Sequence, residues 1–103
     1  MIVVTTEQIE GKKIKESIGL VKGSTIRAKH LGKDILAFFK TLTGGELKSY
    51  TDMMNQAREE ALNRMLHEAE KLGANAVVCL RFSAVMVLQG TAECIAYGTA
   101  VKI

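Results

Sequence analysis

Two cysteines carry most of the reactive chemistry open to this chain, and Cys79 is the more suggestive of the pair. Arg81 follows two positions later, so on a β-strand the two side chains leave the same face. A neighbouring guanidinium favours the thiolate, the form of sulfur that captures soft metal ions and chalcogen species. Cys94 is the second candidate ligand, but the expected hairpin register holds the thiols six residues apart, roughly 20 Å at ~3.3 Å per residue. A disulfide needs α-carbons within about 7 Å. The two thiols of one chain therefore cannot meet, although in a ring each could meet a copy from next door. The competing interpretation is plain packing, with two small buried residues and Arg81 turned to solvent or to a carboxylate.

The remaining chemistry is sparse. His30 and His67 have no ligand partner at a recognised metal spacing. His67 suits a solvated helix position beside Glu68, and His30 stands next to Lys29. Gly44-Gly45 fits neither GxGxxG nor GxxxxGK[ST], so no phosphate loop is expected. Glu93 falls in an otherwise apolar row, where it is either a buried carboxylate or the end of the row reaching water. No Ser, His and acid set follows from spacing. These features favour a binding protein over an enzyme.

Composition bounds the rest. With 103 residues, 48% apolar and 24% charged, the chain reads as one globular domain over residues 1–103, able to bury roughly 65% of its unfolded surface. No run approaches the ~18 apolar residues of a membrane span, and the opening Met1-Ile2-Val3-Val4-Thr5-Thr6 lacks the pattern of a secretory signal. A cytoplasmic location is expected, consistent with only two cysteines. The net charge of +3 is uneven: residues 1–48 hold nine Lys/Arg against five Asp/Glu, and residues 49–103 hold five against six. Lys12, Lys13, Lys15, Lys22, Arg27, Lys29 and Lys33 could form a basic face for an acidic partner. No aromatic residue interleaves them, which argues against nucleic acid, and lysines on a strand also block edge-to-edge pairing.

These groups must be positioned by few elements. Ile2–Thr5 reads as a short strand, and Glu10-Gly11-Lys12 as a turn. Residues 13–28 alternate, with Ile14, Ile18, Leu20 and Ile26 on one row, which predicts one long strand or two bent at Gly19 or Gly23. Gly32–Leu42 has the spacing of a short helix. A long helix is expected to begin between Glu46 and Thr51, with Ser49 and Asp52 as a capping box, and to stop at Gly73. Its stripe is Tyr50, Met53, Met54, Ala57, Ala61, Met65, Ala69 and Leu72. Residues 76–103 then read as a hairpin turning at Gln89-Gly90, with opposed residues summing to 179.

That register gives the hairpin two faces. One row carries Val78, Leu80, Phe82, Ile95, Tyr97 and Val101, and is expected to receive the long helix. The other pairs Val77, Val85 and Val87 with Ala92, Cys94, Ala96, Gly98 and Ala100. Exposing it would waste apolar surface, so either the short helix or another copy of the chain covers it. Leu62 and Leu66, which widen the helix stripe, favour another copy.

Val4-Thr5-Thr6 with Gly11-Lys12, Gly44-Gly45 before Tyr50, Ala57-Arg58 with Ala61, Leu72-Gly73-Ala74-Asn75-Ala76-Val77-Val78, and Gly98-Thr99-Ala100-Val101 together resemble the YbjQ-like family, labelled a heavy-metal-binding domain. The likeness runs nearly end to end. It implies an α+β subunit with a dodecin-like β-α-β-β core, an antiparallel sheet packed on one long helix, assembled as a homopentameric ring. The family label brings no firm ligand set. Cys79 stands where many relatives carry glycine, and Leu80-Arg81-Phe82 replaces an often acidic segment. This departure is similar to a branch associated with selenium binding through one cysteine. The resemblance thus implies a soft metal ion or selenium at Cys79, with Arg81 and Cys94 as the accompanying candidates. The alternative is a structural or regulatory ring that binds no metal and engages an acidic partner.

Overall fold

The computed structural model describes residues 1–28, 47–85 and 91–103. Over these the chain forms β1 (Ile2–Val3), β2 (Glu16–Ala28), α1 (Leu47–Lys71), β3 (Ala76–Val85) and β4 (Thr91–Lys102). One sheet holds the strands in the order β1-β3-β4-β2. β4 is antiparallel to both β2 and β3, so β2 and β3 run the same way with β4 between them. α1 is the crossover joining those two, a split β-α-β unit. The sheet is mixed, not purely antiparallel, because β1 pairs parallel with β3 through Ile2 with Ala76 and Val3 with Val77. The short helix expected over Gly32–Leu42 and the turn at Gln89-Gly90 lie outside the described residues.

The junction from α1 to β3 follows from its sequence. Gly73 adopts φ 81°. Its N–H donates to the Glu70 carbonyl at 3.0 Å, and Ala74 N–H donates to Ala69 at 3.1 Å. This is the paired bonding of a left-handed helix stop, which glycine enters without steric cost. Asn75 then ties the strand to the far end of the sheet. Its backbone N–H reaches the Val101 carbonyl, while its side-chain amide exchanges two hydrogen bonds with the backbone of Ile103. At the other end, α1 starts at Leu47, so Ser49 lies inside the helix and is not its cap.

β2 is one strand with its irregularity between Ser17 and Gly19, where Gly19 takes φ 143°. The hairpin register differs from the expected one. Opposed residues sum to 177 at Ala76, Val77 and Val78 and to 178 from Arg81 to Val85, with a bulge between. Crossing that bulge changes which residues of β3 face α1: Val77 does so before it, Leu80 after it.

The largest departure concerns the faces. α1 packs on the small-residue row of β4 with Val77, and beyond the bulge the Leu80 side of β3, expected in the other row, joins it. Ala57, Ala61, Met65 and Ala69 are fully buried against Val77, Cys94, Ala96 and Ala100. The cause is the helix stripe itself. Alanines let the helix backbone descend, and only a sheet surface of small side chains accepts so close an approach. At Gly23 a Cβ would stand 2.3 Å from both the Ala61 oxygen and the Met65 nitrogen. The second face of the sheet is covered at one end by the N-terminal segment, where Val4, Ile9 and Ile14 pack with Ile103 on Ala76, Val78 and Val101.

Candidate functional site

Cys79 lies within the bulge of β3, in a left-handed backbone conformation with φ 58°. Among the described residues it is the one non-glycine with positive φ. For most L-residues that conformation costs roughly 1–2 kcal/mol relative to the right-handed one. The bulge turns two successive N–H groups toward the N-terminal segment: Cys79 donates to Thr6 and Leu80 to Val4, each at 3.0 Å. Gly98 leaves room on the adjacent strand, since a Cβ there would press within 2.7 Å of a Val77 methyl and 3.0 Å of the Val78 oxygen. The thiol-bearing residue is half-buried against the apolar cluster of Val78 and Val101.

Arg81 also belongs to the outer side, opposite Tyr97. Simple alternation from Val77 would turn Arg81 toward α1, and the bulge turns it outward instead. The guanidinium is engaged with backbone: Nη1 donates to the carbonyls of Thr5 and Leu80, both at 2.8 Å. Arg81 therefore pins the N-terminal segment over the bulge that holds Cys79, and its described partners are carbonyl oxygens.

Cys94 is elsewhere. It pairs with Ala84 and Thr25 in the sheet and is fully buried beneath α1. Cys79 is on the outer side and four to five residues away along the ladder, roughly 15 Å at ~3.3 Å per residue. Both cysteines are free thiols. Burial pushes the Cys94 pKa up, with the Arg58 charge opposing part of the rise. Cys94 is thus held as a thiol out of reach of water, and metal capture there requires α1 to lift.

The same shift gives a pH test. A thiol whose pKa is higher in the folded chain than in the unfolded one contributes its stability fully below the unfolded value. That contribution is lost as pH rises through the folded value. Stability should therefore decline above about pH 8.5, and more steeply in the parent than in Cys94→Ala. Urea unfolding of both proteins at pH 7.5 and 10 checks this; equal pH dependence would contradict it.

Among the described residues, no three His, Cys, Asp or Glu side chains converge on a metal position. His67 is exposed on α1, and His30 lies outside the described residues. Lys12, Lys13 and Lys15 are exposed on the N-terminal segment and Lys22 on β2. The side chain of Arg27, with Lys29 and Lys33, lies outside the described residues. An open groove of about 920 Å³ runs between β2 and the flank of α1, along Leu20, Lys22, Arg64, His67 and Leu72. Arg64 reaches across it to the Ser24 carbonyl at 2.6 Å and pairs with Glu60. Sequence spacing could not reveal this groove, because its walls are 40 residues apart in the chain and meet only through the crossover.

The sequence profile of the YbjQ family, described as "Putative heavy-metal-binding", matches residues 1–103. The chain belongs to this family. A UPF0145 protein of Thermosipho melanesiensis is 58% identical over the whole chain and 95% of its own length. One from Clostridioides difficile is 59% identical, covering 92% of that protein, and one from Methanosarcina acetivorans is 55% identical, covering 97%. Among solved structures, a protein with unknown function of the DUF74 family from Pediococcus pentosaceus superposes with a TM-score of 0.69. It covers all of this chain and 97% of its own at 19% identity, a likeness of fold. No helix among the described residues is long and apolar enough to cross a membrane.

Proposed function

We propose that this YbjQ-family chain is a cytoplasmic, self-associating binding protein without a catalytic cycle. It takes up a soft metal ion or a selenium species at Cys79. One observation carries the reading: a thiol occupies a backbone position whose left-handed conformation suits glycine. That placement costs conformational energy, so what residue 79 contributes here is its side chain. Cys79 is also the thiol that solvent reaches, while Cys94 lies under α1.

A single thiolate cannot complete the coordination of a soft ion. The other ligands come from water or from Cys79 of neighbouring copies, which is why self-association belongs to this reading. Five copies is the stoichiometry that the family resemblance implies. Arg81 acts as a positioning residue, holding residues 5 and 6 across the bulge and so fixing how far the thiol is covered.

The test uses the full chain and Cys79→Gly, a substitution the local backbone accommodates. Cd²⁺ titration followed by the thiolate-to-metal ultraviolet band, and mass spectrometry after exposure to selenite with excess glutathione, report the two ligand classes. The parent and Cys94→Ala should take up at least one of them, and Cys79→Gly should lose at least tenfold in affinity or the whole adduct. Equal uptake by Cys79→Gly would overturn the proposal.

A further inference from the structure

The thiol site has a cover built from the N-terminal segment. Residues 4–14 leave β1, cross the bulge and return to the sheet, and the two ends of this stretch are anchored separately. Val3 packs into the cluster beneath α1. Ile14 joins the cluster on the second face, and Lys15 N–H donates to the Lys102 carbonyl at 2.8 Å. Between these anchors the chain is lightly held. Thr5, Thr6, Glu7 and Gln8 are exposed, and Lys12 N–H closes a tight turn on the Ile9 carbonyl across Gly11. A loop fixed at its ends and packed by a few of its own side chains can open without unfolding its scaffold.

Over the bulge the loop is clasped at three successive carbonyls. Leu80 N–H donates to Val4 and Cys79 N–H to Thr6, each at 3.0 Å, and Arg81 Nη1 donates to Thr5 at 2.8 Å. The same nitrogen gives a second hydrogen to the Leu80 carbonyl, so one planar guanidinium stitches strand to loop. Cys79 and Leu80 fall in the break of the β3–β4 register, and their N–H groups serve the loop instead of the ladder. Coverage of the thiol follows the reach of the loop. Cys79 is half-buried with Val4 and Ile9 on one apolar cluster. Arg81, Ser83 and Val85, the next residues on that side of β3, are exposed.

We infer that residues 4–9 are a strap that gates Cys79, with Arg81 as its latch. A ligand reaches the sulfur when the Thr5 carbonyl leaves the guanidinium and the strap swings off the bulge. This rests on the functional reading of Cys79 and adds what sets the rate at which that site loads. The latch suits arginine, whose flat, pre-organised fork holds its geometry on the strand while the strap is away. Opening breaks the strap contacts alone, because the long β2–β4 ladder and the α1 core take no part in it.

The experiment follows three observables in the full chain. These are hydrogen exchange of the Cys79 and Leu80 amides by NMR, iodoacetamide alkylation of each thiol resolved by mass spectrometry, and the rate of Cd²⁺ uptake. In the parent the two bulge amides should exchange faster than those of the β2–β4 ladder, and Cys79 should alkylate while Cys94 stays protected under α1. Arg81→Met keeps the apolar stem and removes the latch. It should raise bulge-amide exchange and Cys79 alkylation together, by roughly tenfold or more; the lost cation lowers the thiolate fraction and so opposes that rise instead of mimicking it. Arg81→Lys keeps the charge without the fork and should fall between. Ile9→Ala leaves every charge in place and should act in the same direction as Arg81→Met. Cys94 is the internal control, because its protection shows that a variant has opened locally; if Arg81→Met exposes it, Arg81→Lys and Ile9→Ala carry the comparison. Bulge amides that exchange only together with the ladder would overturn the gate. So would Cys79 alkylation and Cd²⁺ uptake that keep the parent's rates in the strap variants. In that event, loss of Cd²⁺ in Cys79→Gly leaves the thiol site standing. Conversely, Cd²⁺ uptake retained by Cys79→Gly, with fast bulge exchange in the strap variants, sinks the binding reading and keeps the strap.

Discussion

Replacing Gly23 by alanine should destabilise the fold by about 3 kcal/mol or more, the upper range for forcing extra volume into a packed core. A single methyl group is enough because its position is already taken by backbone. The added Cβ would lie 2.3 Å from the Ala61 oxygen and the Met65 nitrogen and 2.9 Å from the Arg64 carbonyl carbon. No side-chain rotation relieves such contacts, so α1 must rise from the sheet along its middle. Lifting it loosens Met65, one of the largest fully buried side chains, together with Ala57 and Ala61. For a chain of this length, 3 kcal/mol corresponds to a fall in Tm of roughly 12–24 °C. Urea and thermal unfolding at one fixed protein concentration measure it, with Gly11→Ala as the comparison. Gly11 has φ 76° but open space around it, so that variant reports conformational cost alone. If Gly23→Ala unfolded at the parent's midpoint, α1 would have to sit farther from β2 than the structure places it.

The closeness at Gly23 also explains which parts of the fold could be read from sequence. The long helix, the glycine stop at Gly73 and the antiparallel pairing of β3 with β4 were legible, and Gly19 was one of two glycines at which a bend was expected, because each is set by local periodicity or by a residue with one strong backbone preference. The choice of face was not obtained from alternation. Alternation defines two rows, and hydropathy assigns the bulkier one to the core. What reverses the assignment is a property of the partner element: Ala57, Ala61 and Ala69 form a stripe with almost no side-chain height, which fits Ala96, Gly98 and Ala100 and wastes space against Ile95 or Tyr97. Helix and sheet rows had to be matched by size as well as by polarity. Among the described residues α1 shields one side of the sheet, and the N-terminal segment covers one end of the other.

The candidate site was legible as chemistry but not as geometry. Cys79 and Arg81 stand out by type, but their shared side of the sheet comes from the bulge and not from their spacing. The bulge did not announce itself, because cysteine carries no preference for the left-handed region as glycine or asparagine does. Without that bulge the carbonyls of Thr5 and Leu80 had no visible claim on Arg81. The bulge also accounts for the step in pairing sum from 178 to 177 along β3, one of the two residues by which the expected register missed.

Residue 79 should then respond to substitution in an order opposite to that of an ordinary strand position. On a regular strand valine is favoured and glycine weakens the element. At φ 58° the order inverts. Cys79→Val places a β-branched side chain where its backbone clashes most, at a cost of about 2–3 kcal/mol. Cys79→Gly relieves the left-handed strain, and this offsets both the greater freedom of its unfolded chain and the packing lost against Val78 and Val101, leaving stability within about 1 kcal/mol of the parent. Unfolding midpoints in urea should therefore rank Cys79→Gly near the parent and Cys79→Val well below both. The reverse ranking would mean that the backbone at residue 79 is extended and that β3 and β4 pair without a bulge. The same pair of variants separates conformation from chemistry. Both lack the thiol, so both should fail to retain Cd²⁺ or selenium, yet only one should be unstable. A stable, ligand-free Cys79→Gly protein would establish that the thiol serves binding at a position where folding gains nothing from it.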